Sequence, residues 1–190
     1  MLSDTASFPA TRPERYNAGM IWLHWATALL VIVLFATAEV WDFAEKGGAV
    51  RNALKALHYG SGILLAVVFV IRLVWRLASH ATLPEEEKGL MGLAAKAVHA
   101  VLYLALAGQI IFGFTWRWSQ GKAVDFFGIF SLTDPFGIPA AYRHTLGELH
   151  ENVAWLIIAV AFAHAVAAIY HHVFLKDGVL LKMMPKHGNP

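Results

Sequence analysis

The chain lacks cysteine altogether, and only 15% of its 190 residues are charged. Without thiolates it can form no disulfide, no cysteine-held iron–sulfur cluster and no cysteine nucleophile. Its formal net charge of +2 is too small to indicate a nucleic-acid partner. Hydrophobic residues make up 58% of the chain, more than the core of one soluble domain can use. These proportions predict an integral membrane protein.

Four apolar segments are each long enough to cross a bilayer, which takes about 20 residues. They cover residues 20–40, 57–77, 92–116 and 150–174, and they predict an all-α, four-helix transmembrane bundle formed by a single domain, 1–190. The segment 78–91 is expected to be a polar loop. The segment 117–149 is rich in Gly, Pro and aromatic residues and is expected to lie along the opposite membrane surface. A signal peptide ending near Ala38 is an alternative for the first segment, but that apolar run is longer than a usual signal.

The distribution of Lys and Arg predicts the orientation of the four spans. Nine basic residues belong to the side that carries both termini, against six on the other side. The nine are Arg12, Arg15, Arg72, Arg76, Lys88, Lys96, Lys176, Lys182 and Lys186, and the six are Lys46, Arg51, Lys55, Arg117, Lys122 and Arg143. Because cytoplasmic loops carry the excess of Lys and Arg, both termini are predicted to be cytoplasmic.

Seven of the ten histidines lie inside or at the edge of the apolar segments, and four of these form a pattern. His150 and His164 are fourteen residues apart, an advance of about 21 Å that returns to nearly the same helix face. His24 is near the inner end of the first span and His58 near the outer end of the second. The alternating direction of the spans therefore predicts two levels, with His24 beside His164 and His58 beside His150.

Two imidazoles from facing helices can supply both axial ligands of a haem iron, with the porphyrin in the apolar space between them. Each histidine alone could instead bond a neighbouring helix or reach towards the membrane surface. Four that fall into two levels favour two stacked haems. Centres roughly 20 Å apart would let single electrons cross the membrane without moving parts.

Other histidines and arginines have open assignments. His99 and His171 are candidates to contact a haem propionate or a quinone at the inner level, or to be ordinary packed residues. Arg72 and Arg76 are candidates for interface anchors or propionate partners. A zinc protease motif fails, because His150-Glu151 is followed by Ala154 where a second histidine is required.

Several motifs resemble the bacterial cytochrome b561 family. They are IWLHW (21–25), HYGSG (58–62), LHENVA (149–154) and the long block HAVAAIYHHVFLKDGVLLKMMP (164–185). The likeness covers nearly the whole chain and is closest to the superoxide-oxidising member. It implies that His24, His58, His150 and His164 are the haem ligands, and it implies two haems b, a ubiquinone partner and the bacterial inner membrane. It is weaker in the outer loops, so the electron donor is the least specified feature.

The resemblance leads to the expectation of an enzyme that takes electrons from periplasmic superoxide and delivers them to ubiquinone. Arg51, Lys55 and His58 are at positions i, i+4 and i+7, and a helix that begins early would align them as a cationic stripe that attracts superoxide to the outer haem. The alternative is an electron-transfer cytochrome subunit that links a dehydrogenase partner to the quinone pool.

Overall fold

The computed structural model describes residues 15–79 and 89–185. Four long helices make up most of it: α1 (Ala18–Val40), α2 (Ala49–Ala78), α3 (Gly89–Ser119) and α4 (Arg143–Tyr170). All four are long and apolar enough to cross a membrane, which confirms the predicted four-helix transmembrane bundle. Arg12, Lys88 and Lys186, used above to predict the orientation, lie outside the described residues.

The helices are longer than the apolar runs that predicted them. α2 begins at Ala49 and so includes Arg51 and Lys55, because two charges interrupt hydrophobicity without breaking a helix. At the start of α1, the Asn17 side chain accepts a hydrogen bond from the Met20 amide at 2.9 Å, which satisfies one of the free amides of the first turn.

α1 packs along α2 and α3 packs along α4, so the bundle consists of two helical hairpins. Between them lies a buried apolar cluster formed by Leu65 and Phe69 of α2, Leu106 of α3 and Ile157 of α4. Large side chains on the outward faces, such as Leu104 and Phe162, are more than two-thirds exposed. Because these exposed surfaces are apolar, they suit contact with lipid.

Both described chain ends meet at one end of the bundle, which we call the inner end. The Tyr16 amide donates to the Lys182 carbonyl at 3.1 Å, and the Trp25 indole donates to the Met183 carbonyl at 2.9 Å. The segment that makes these contacts follows a π-helical turn, His171–Leu175, and contains a short 3-10 turn, Leu180–Met183.

The opposite, outer end is covered by the connection between α3 and α4. Strands β1 (Val124–Phe126) and β2 (Phe130–Leu132) form an antiparallel hairpin in which Val124 faces Leu132. Phe127, in the turn with φ of 49°, lies so close to Gly60 of α2 that a Cβ on Gly60 would be 2.4 Å from its ring. The hairpin thereby packs directly on α2, two residues from His58.

Candidate functional site

The structure brings four histidines together as two pairs, and these are His24, His58, His150 and His164. The ring centroids of His58 and His150 are 6.4 Å apart at the outer level, and those of His24 and His164 are also 6.4 Å apart at the inner level. These are the pairs that the sequence predicts. Among the described contacts, neither pair shows a hydrogen bond between its two rings. The two rings of each pair are further apart than a direct hydrogen bond allows.

This spacing fits an iron ion between the rings. A metal held by one nitrogen of each ring, at about 2 Å from each, places the two ring centroids roughly 6 Å apart. The ring planes are rotated by 75° at the outer level and 76° at the inner level. The two histidines of each pair are therefore far enough apart to hold one metal ion between them.

Main-chain carbonyls orient both outer rings. His58 Nδ1 is 2.9 Å from the Leu34 carbonyl oxygen, and His150 Nδ1 is 3.2 Å from the Gln109 carbonyl oxygen. Because a carbonyl only accepts, each Nδ1 donates its proton and each Nε2 keeps its lone pair. This outer arrangement fixes the tautomer and the ring orientation that metal ligation requires.

A cavity of about 750 Å³ contains the outer pair. Its walls include Leu34 and Phe35 of α1, Ile110 of α3 and Trp155 of α4. A Cβ on Gly113 of α3 would be 2.9 Å from the His150 ring, so a glycine is needed where that ring lies against the helix. An apolar cavity with a histidine on either side fits a porphyrin.

Charged residues line the same cavity near the membrane surface. The Lys55 ammonium is 5.8 Å from the Trp41 ring centroid, and the Arg117 guanidinium is 4.4 Å from that of Tyr59. Arg51, expected beside Lys55 as part of a cationic stripe, instead binds Asp42 and is mostly buried. Glu39, Asp42 and Glu151 also line the cavity, so its charge is mixed.

The inner pair has different neighbours. The Arg72 Nη2 atom is 3.1 Å from His24 Nδ1, and since a guanidinium only donates, this nitrogen of His24 accepts. Ligation through His24 Nε2 therefore requires Arg72 to donate to another acceptor. The His99 ring is 5.3 Å from that of His164, in agreement with the inner depth predicted for His99.

His171 lies apart from these rings and bonds to Asp177. The Asp177 carboxylate also accepts from the Val179 amide at 3.1 Å. Partial burial opposes ionisation of Asp177, but the hydrogen bonds from His171 and Val179 outweigh it and hold the pKa of this carboxyl below its usual range. This pair ties the end of α4 to the segment that crosses the inner end.

Sequence reasoning missed several residues that shape the site. Gln109, Gly113 and Trp116 are at i, i+4 and i+7 of α3 and all line the outer cavity, where a polar Gln within an apolar run was the available signal. Thr37, whose hydroxyl is 3.2 Å from His58 Nδ1, and Arg117 carried no comparable signal.

Comparison with known proteins finds similar sequences over nearly the whole chain. The sequence model of the family described as prokaryotic cytochrome b561 matches residues 15–186. Cytochrome b561 homolog 2 of Escherichia coli K12 is 33% identical over 180 residues, 93% of this chain and 95% of that protein. Cytochrome b561 homolog 1 of the same strain is 31% identical over 179 residues, 91% of this chain and 98% of that protein. A protein named probable superoxide oxidase CybB, from Yersinia pestis, is 30% identical over 177 residues, 91% of this chain and 97% of that protein.

Proposed function

Because the chain belongs to the prokaryotic cytochrome b561 family, a family of membrane electron-transfer proteins whose membership implies haem b, we propose that it is a superoxide:ubiquinone oxidoreductase of the bacterial inner membrane. In this proposal two haems b are bound, both chain termini are cytoplasmic, and superoxide reacts at the outer end. Two superoxide anions lose one electron each and become dioxygen, while one ubiquinone gains two electrons and two protons and becomes ubiquinol.

The observation that carries this proposal is the presence of two histidine pairs at two levels of one membrane bundle. In each pair the ring centroids are 6.4 Å apart. Haem supplies reversible one-electron chemistry when bound. His58 and His150 hold the outer group, and His24 and His164 hold the inner one. The buried cluster around Phe69 and Leu106 excludes water from the layer between the two levels.

The choice of superoxide as donor is supported by the relative named probable superoxide oxidase and by the cations of the outer cavity. Lys55 is the residue of the expected stripe that lines this cavity, whereas the charge of Arg51 is balanced by Asp42. Because three carboxylates share the cavity lining, the attraction that Lys55 exerts on an anion is short-ranged.

The proposed ubiquinone site is at the inner end, close to His99 or to His171. A quinone carbonyl needs a hydrogen-bond donor, and ubiquinol formation needs a route for protons. His171 and Asp177 form a hydrogen-bonded pair of groups at this end of the bundle that can take up and release protons. His99 lies against His164, the proposed inner ligand.

The test is to count haems in purified variants and then to supply superoxide. We expect two haems b in the unaltered protein, loss of the outer haem alone in His58→Ala or His150→Ala, and loss of the inner haem alone in His24→Ala or His164→Ala. Simultaneous loss of both haems, or loss of neither, contradicts this pairing.

With superoxide as donor, haem reduction in the unaltered protein should slow as salt increases. Lys55→Gln should be slower by up to about 10-fold at low ionic strength and less sensitive to salt. Arg51→Gln should change the rate less, and exposed Lys122→Gln is the matched control. If superoxide does not reduce the haems at all, the result favours the alternative, an electron-transfer subunit with a dehydrogenase partner.

A further inference from the structure

Charge is distributed unequally between the two ends of the bundle. Among the described residues, the outer end carries six basic and seven acidic side chains, whereas the inner end carries six basic and one acidic. The inner basic residues are Arg15, Arg72, Arg76, Lys96, Lys176 and Lys182, and the acidic residue is Asp177. Asp177 is bonded to His171, so the described inner end has a large excess of positive charge.

Arg72, one of these basic residues, contacts a histidine of the inner pair. It lies mostly buried on α2, with Nη2 3.1 Å from His24 Nδ1 and its guanidinium carbon 5.3 Å from the Tyr103 ring centroid. Arg76, one turn further along α2, lies 5.8 Å from the same ring centroid. A buried guanidinium that donates to a histidine differs from a lipid-facing anchor, the other role expected for Arg72.

Two polar atoms near the contact of Arg72 with the Tyr103 ring have no hydrogen-bond partner in the part of the chain that the structure describes. They are Arg72 Nε and the Tyr103 hydroxyl, and both are fully buried. Buried donors of this kind are costly unless an acceptor meets them. A carboxylate of a porphyrin held by His24 and His164 is an acceptor with a charge opposite to that of Arg72.

We propose that Arg72 raises the reduction potential of the inner haem above that of the outer haem, and so directs electrons from the outer to the inner end. This inference rests on the two-haem assignment proposed above. Arg72 is a positioning residue in this role, because it acts on the haem and not on superoxide or quinone.

The direction of the effect follows from charge. Reduction of ferric to ferrous iron adds one negative charge, which a nearby fixed positive charge stabilises, and low dielectric strengthens that interaction. At the outer level, carboxylates line the cavity together with Lys55 and Arg117 and offset their charge. The inner level has an arginine against His24, and among the described residues its end of the bundle carries an excess of basic side chains.

The experiment measures each haem alone by spectroelectrochemical titration. The His58→Ala protein should retain only the inner haem, and the His24→Ala protein only the outer haem. In the His58→Ala background, Arg72→Gln should lower the equilibrium constant for reduction by about tenfold or more, where tenfold corresponds to about 59 mV for one electron. Arg72→Lys, which keeps the charge, should restore it to within about threefold. Arg76→Gln, matched in charge and helix, should change it by less than about threefold.

An unchanged inner potential in Arg72→Gln overturns the inference, and so does an equal fall of the outer potential in the His24→Ala background. If Arg72→Gln does not retain the inner haem, the reduction potentials of the His58→Ala and His24→Ala proteins are compared directly. An inner haem whose potential is lower than that of the outer haem overturns the inference. If the His58→Ala and His24→Ala proteins hold both haems or none, that result contradicts the two-haem proposal itself, before any potential is measured.

Discussion

Replacing Gly113 with alanine should weaken the outer haem site although it strengthens the helix that carries it. Alanine in place of glycine in a helix interior contributes about 1 kcal/mol of stability. The added Cβ, however, would lie 2.9 Å from Cε1 and 3.3 Å from Nδ1 of His150. Since carbon atoms pack at about 3.5–4.0 Å, the ring must retreat by roughly 0.6 Å.

A displacement of that size exceeds the tolerance of a ligand site, which is about 0.5 Å. Overpacking of this kind costs roughly 1–3 kcal/mol. Since about 1.4 kcal/mol corresponds to a tenfold change in affinity, we expect Gly113→Ala to bind the outer haem roughly 5- to 140-fold more weakly.

The assay is haem titration into the purified protein, followed by the absorbance of the reduced minus oxidised spectrum. Gly108→Ala is the matched control, because it lies on the same helix and its Cβ would be at an ordinary 3.5 Å from the Phe112 ring. Both variants gain the same helix propensity, so only the contact with His150 distinguishes them. Equal haem affinity in the two variants would refute the reasoning.

Two further predictions concern the inner end. His171→Ala should slow ubiquinone reduction and leave the haem spectrum intact. His172→Ala, a change at the neighbouring exposed histidine, should leave both unchanged, and equal rates in the two variants would move the quinone site elsewhere. Because the pKa of Asp177 is lowered in the folded protein, its contribution to stability is fully present above its unfolded pKa of about 3.9 and is lost as pH falls through the folded value. Asp177→Asn should therefore lower Tm at pH 7, and the difference should shrink towards pH 3; a constant difference across that range contradicts the linkage.

Hydrophobic length and the spacing of His150 and His164 were enough to predict the helices and the two histidine levels, because both depend on the regular geometry of a helix crossing a bilayer. The contacts of Arg51 were not predictable in this way. Its partner Asp42 lies within the 3-10 turn Trp41–Phe43, and the path of such a turn is not encoded by periodicity.

The same limit applies to the atoms that orient the ligands. The carbonyls of Leu34 and Gln109 belong to the backbone, so no side-chain pattern marks them. The contact of Arg72 with His24 joins α2 to α1, and it depends on how two helices rotate against each other. Sequence periodicity predicts which face is apolar, whereas this rotation is determined by packing.

The division of the bundle into two hairpins has a consequence for biogenesis. α1 packs on α2 and α3 packs on α4, whereas both histidine pairs join a helix of the first hairpin to α4 of the second. Each hairpin could enter the membrane as a unit, and the metal bonds of the proposed haems would then join one hairpin to the other. The abundance of the mature protein would accordingly follow the cell's supply of iron porphyrin, since unfastened hairpins expose polar histidines to lipid and present a substrate to membrane proteases.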